Sequence, residues 1–125
     1  MLKTRFSALP GVVALVMAVA FSPAALAHAH LKSQYPAANA NVEASPQALT
    51  LTFSEDIEPA FSGVEITGAG QQKMPIAEVE RAPQQHNQLI VPLEKPLTSG
   101  RYQVDWHVLS VDGHKTKGSY TFSVK

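Results

Sequence analysis

The chain has 125 residues, ten basic and ten acidic side chains, five histidines and no cysteine. No basic cluster offers a footprint for nucleic acid. The lack of cysteine excludes disulfides, structural zinc–cysteine sites, thiolate-ligated copper centres and thiol catalysis.

In chain order, Lys3 and Arg5 form a positive start, Val12 to Phe21 an apolar run, and Ala25-Leu26-Ala27 a small-x-small pattern. That order predicts a secretory signal over residues 1–27, cut after Ala27. Spanning a bilayer takes about 20 apolar residues, and Pro10, Gly11, Ser22 and Pro23 bracket a shorter run. Removal of the segment leaves 98 residues, 28–125, enough for one small domain. Loss of Lys3 and Arg5 leaves eight basic residues against ten acidic ones, a formal charge of −2.

The mature part is dominated by a period of two. Leu49, Leu51 and Phe53 alternate with Thr50 and Thr52, and Leu89, Val91 and Leu93 repeat the pattern. So do Tyr102, Val104, Trp106 and Val108, and then Tyr120, Phe122 and Val124. These predict strands with one buried face. Weaker strands are expected around Val64 to Thr67 and Ile76 to Val79. Turns are expected at Gly68-Ala69-Gly70, Thr98-Ser99-Gly100 and Asp112-Gly113, and Tyr35 to Gln47 reads as an irregular connection. The pattern predicts an all-β antiparallel sandwich or small Greek-key barrel.

Cutting after Ala27 makes His28 the first residue, so that its amine and imidazole form a chelate no internal histidine can make. Asp112 and His114 flank one glycine, and in extended backbone their side chains project to the same side. Asp-Gly is also a strong hairpin signal, which would fix the loop presenting both. Three nitrogens and one oxygen in a plane suit Cu(II).

The segments His28-Ala29-His30-Leu31-Lys32 with Pro36, Leu51-Thr52-Phe53-Ser54-Glu55, Gly100-Arg101-Tyr102-Gln103-Val104-Asp105-Trp106, Ser110-Val111-Asp112-Gly113-His114 and Gly118-Ser119-Tyr120-Thr121-Phe122 together resemble the CopC family of periplasmic copper-binding proteins. The resemblance implies a single immunoglobulin-like Greek-key β domain over 28–125. It also implies one Cu(II) ion held by His28, Asp112 and His114, a periplasmic location, and a relationship with a CopD-type inner-membrane copper protein. Glu55 matches a glutamate near the site in some relatives; a carboxylate there fits a supporting role toward an imidazole ligand, or simply an exposed acidic loop. Methionine-rich Cu(I) sites of some relatives have no counterpart, since only Met74 survives processing.

His30 offers a rival geometry, in which the amine, two deprotonated amides and the third-position imidazole chelate Cu(II). His86 reads as solvated in a polar loop, His107 as a surface residue on the outward face of its strand, and Trp106 as core. A filled metal plane leaves no open position for substrate, so the expectation is carriage and not catalysis. A small oxidative copper enzyme with a histidine brace and a metal-free immunoglobulin-like interaction module are the alternatives.

Overall fold

The structure, a computed structural model, describes residues 29–125; the signal segment expected over 1–27 and His28 lie outside the described residues. Eight strands follow in order: β1 (Leu31–Tyr35), β2 (Asn41–Val42), β3 (Ala48–Phe53), β4 (Gly63–Thr67), β5 (Glu80–Ala82), β6 (Gln85–Pro92), β7 (Gly100–Leu109) and β8 (Lys115–Val124). They form two four-stranded sheets, ordered β1-β3-β6-β5 and β2-β8-β7-β4. Among the described residues no helix is long and apolar enough to cross a membrane.

The period-two pattern sets the core. Leu49, Leu51 and Phe53 of β3 meet Leu89 and Val91 of β6 on the inner face of one sheet. Tyr102, Val104, Trp106 and Val108 of β7 do the same with Tyr120, Phe122 and Val124 of β8 on the other. Burying these two faces against each other is the main driving force for the fold. Phe53 and Trp106 join the sheets edge-to-face, ring centroids 5.1 Å apart, and Met74 packs against the core from its margin.

The edges depart from the expectation. The connection Tyr35 to Gln47 contains β2, which runs parallel to β8 because the chain changes sheets after β1. The strand expected at Ile76 to Val79 forms at Glu80–Ala82 instead, and Ile76 makes only an isolated bridge to Leu93. These short edges take their structure from the neighbour they pair with, so their own pattern says little.

Candidate metal site

The longest strands, β7 and β8, are joined by the turn Ser110–His114 at one end of the sandwich. Ser110 N–H donates to His114 O at 2.9 Å and Gly113 N–H to Ser110 O at 2.9 Å. Gly113 has φ 94°, in the left-handed region that glycine enters without steric cost. Asp112 and His114 are therefore placed by a tight turn and not by extended backbone. The turn still brings them together, with His114 Nδ1 3.1 Å from Asp112 Oδ1 and both side chains exposed.

Beneath them sits Ser110, only 1% exposed and, among the described residues, the one buried polar side chain. Its hydroxyl donates to Asp112 Oδ1 and accepts from His114 N–H at 3.2 Å. The Ser110 hydrogen bond is the main reason the Asp112 carboxyl is held below its ordinary value of 3.8; desolvation works against it, and the His114 ring and N–H add to it. Asp112 is thus an anion at neutral pH.

Two further stretches of chain converge on the turn. Val111 N–H donates to Asp56 O at 3.0 Å and Ser110 bridges Ile57, which lays the acidic segment Glu55–Glu58 alongside. Glu55 itself is half-buried and makes no hydrogen bond or ion pair among the described residues. Ala29, 1% exposed, receives a hydrogen bond at its carbonyl from Thr116 Oγ1 at 2.9 Å. The start of the described chain is therefore docked two residues from His114.

His30 is exposed, with its backbone tied to Ser54: His30 N–H donates to Ser54 Oγ at 2.8 Å, and Ser54 N–H donates to His30 O at 2.8 Å. A chelate through deprotonated amides would have to break the first of these bonds and free the buried Ala29. His86 lies not in a loop but in β6, because the turn into that strand is only Pro83-Gln84; its carbonyl accepts from Ile57 N–H at 3.0 Å. His107 is exposed as expected, its imidazole over the bare backbone of Gly63, where a Cβ would lie 2.6 Å from the ring.

Among the described residues no group of three or more histidine, cysteine or acidic side chains gathers. The turn supplies a pair, and His28 lies outside the described residues. Sequence reasoning passed over Ser110. A serine two residues past Val108 continues the inward-facing parity of Val104, Trp106 and Val108, and a buried hydroxyl needs a partner.

The fold and the turn define an immunoglobulin-like β-sandwich presenting an anionic carboxylate beside an imidazole at one end. The CopC domain profile matches residues 31–125, and the chain belongs to the CopC family. It is 59% identical to Protein YobA of Escherichia coli K12 over 104 residues, which covers 83% of this chain and 84% of that one. It is 42% identical to Copper resistance protein C of Escherichia coli over 118 residues, covering 89% and 90%. The crystal structure of PcoC, a methionine-rich copper resistance protein from Escherichia coli, superposes with a TM-score of 0.72 at 35% identity, over 79% of this chain and all of that one.

Proposed function

We propose that the exported protein holds one Cu(II) ion in the periplasm, through the amine and imidazole of His28 together with Asp112 and His114, and buffers or delivers copper without catalysing a reaction. The observation that carries this reading is the docking of Ala29 against Thr116, which brings the residue following His28 to the strand that begins one position after His114. Cleavage after Ala27 supplies the amine. Copper resistance is what the names of the relatives at 42% and 35% identity state, and it agrees with the donor set.

Two nitrogens of one residue close a chelate ring, the imidazole and carboxylate of the turn complete a tetragonal plane, and such a plane favours Cu(II) over other first-row divalent ions. Asp112 adds a negative charge that offsets part of the metal's, and Ser110 and the backbone orient it. No position in that plane stays open for substrate, which is why holding and release fit better than turnover. Protons compete for the amine, whose reference pKa is about 8, and for the imidazoles, so affinity falls as pH drops. A CopD-type inner-membrane copper protein, or another copper-handling protein, is the partner that the family resemblance implies. Met74 is the only methionine among the described residues and packs against the margin of the core, so no cluster of thioethers for Cu(I) forms among them.

Mass spectrometry of the exported protein together with Cu(II) electron paramagnetic resonance tests processing and ligand set at once. The expected result is a chain starting at His28 with a tetragonal nitrogen-and-oxygen spectrum. His114→Ala should weaken Cu(II) binding by at least about a hundredfold, or about 2.7 kcal/mol, and His30→Ala should leave it nearly unchanged. The reverse pattern, or a chain with an extra residue ahead of His28 that binds equally well, would refute the proposal. Quenching of Trp106 fluorescence on titration is the expected optical readout.

A further inference from the structure

The end of the sandwich that carries the turn also presents a groove that metal binding does not use. A cavity of about 630 Å³ opens on the outward face of β7 and β8, with Phe61, Leu109, His107, Lys115 and Lys117 in its wall. Phe61 is 68% exposed, yet it is not on a loose loop. It ends the 3-10 turn Pro59–Phe61, and its N–H donates to Glu58 O at 3.1 Å. The following Ser62 hydroxyl donates to Glu58 O at 2.8 Å and accepts from Leu109 N–H at 3.1 Å. An aromatic ring held outward by a turn braced in this way is an unmet apolar contact.

The charge on this wall is equally unmet. Lys115 and Lys117 stand two residues apart on the outward face of β8, in register with Leu109 and His107 of β7. Neither has a carboxylate partner among the described residues, whereas Lys73 and Lys125 pair with Glu65 and Glu43 at 3.1 and 2.9 Å. The groove is continuous with the candidate site. Lys115 follows His114 directly, and Thr116, also in the wall, is the residue that holds Ala29. Val111, 54% exposed, is the residue before Asp112.

We infer that this groove is a docking surface for an acidic, extended segment of a partner protein, with an apolar side chain of the segment on Phe61 and Leu109 and its carboxylates on Lys115 and Lys117. The sign of the partner follows from charge complementarity, and the apolar anchor from the exposed ring. A segment seated there lies within a residue or two of the turn. That placement deepens the copper reading by giving a recipient a place to stand, although docking itself requires no metal. A lipid surface fits less well. Headgroup-binding patches gather about 4–8 basic residues, while this groove has two lysines and is concave.

The test is an ¹⁵N NMR titration of the metal-free exported protein with an acetylated peptide alternating glutamate with leucine and phenylalanine, and with its lysine-for-glutamate counterpart. Saturable shifts centred on the amides of Phe61, Leu109, Lys115 and Lys117 are expected from the acidic peptide only. Phe61→Ala and Lys117→Glu should each weaken binding about tenfold or more while leaving the Cu(II) spectrum as in the parent. Docking that survives in a protein found not to bind copper would separate the two proposals, upholding this one alone. Non-saturating or dispersed shifts, variants that bind as well as the parent, or Phe61-dependent sedimentation with phosphatidylglycerol vesicles would overturn it.

Discussion

Replacing Ser110 with alanine removes one hydroxyl from beneath the turn and nothing else from the surface. The single proton of that hydroxyl goes to Asp112 Oδ1, the shorter of its two contacts, and His114 O at 3.2 Å is secondary. Its lone pair accepts from His114 N–H, so both candidate ligands lose a support in one step. Loss of an outer support of a metal ligand typically weakens binding about 10–100-fold, or about 1.4–2.7 kcal/mol. Ser110→Ala should therefore lower Cu(II) affinity by that range in a competition titration at neutral pH. The same substitution should let the Asp112 carboxyl rise toward 3.8, read by ¹³C NMR. The sign of the stability effect follows: a carboxyl lowered in the folded state stabilises fully above its unfolded value and loses that contribution as pH falls through the folded one. The gap in urea-unfolding stability between parent and variant should thus be open at neutral pH and narrow below about pH 4. Affinity within about twofold of the parent, with a stability gap that does not narrow in acid, would refute the reasoning.

Two further substitutions probe the core behind the site. Tyr120 is buried and its hydroxyl has no hydrogen-bond partner among the described residues, and burial pushes its ionisation well above the ordinary range. Tyr120→Phe should be neutral or stabilising by up to about 1 kcal/mol in chemical denaturation, and a loss larger than that would show a partner the structure lacks. At Gly118 a Cβ would sit 2.6 Å from Cζ2 of Trp106, so Gly118→Ala should cost about 1–3 kcal/mol and red-shift the tryptophan emission as the ring is displaced. Unchanged stability and emission would mean that the indole moves aside freely.

What could be read from the sequence is what repeats. The alternation in β3, β6, β7 and β8 places the buried apolar residues of those strands on the inner face, because burial there is set by strand parity. The edge strands escaped, since a two-residue strand such as β2 exists only through its pairing with β8. Asp112 and His114 were legible as a pair because Asp-Gly announces a turn, although the turn replaces the extended backbone that i, i+2 spacing suggests. The bond between His30 N–H and Ser54 was not legible, because it joins residues 24 positions apart and depends on how β1 enters the sheet. His86 was misplaced for a related reason: a polar tetrapeptide looks the same in a loop as at the exposed start of a hairpin strand.

Topology explains why these pieces meet at one end. β1 belongs to one sheet and the β7–β8 turn to the other, so only a closure across the sandwich can join the chain start to Asp112 and His114. The contacts that make that closure include Ala29 with Thr116, Ile57 with Ser110, Asp56 with Val111 and Glu58 with Leu109. Ala29 and Ile57, on the β1–β3 side, are almost wholly buried, so the closure is anchored in the core as well as by backbone hydrogen bonds nearer the surface. Ordering a free chain end costs about 1–2 kcal/mol per residue of backbone entropy. Folding has already met that cost for Ala29, whose burial and hydrogen bond to Thr116 fix the start of the described chain beside the turn.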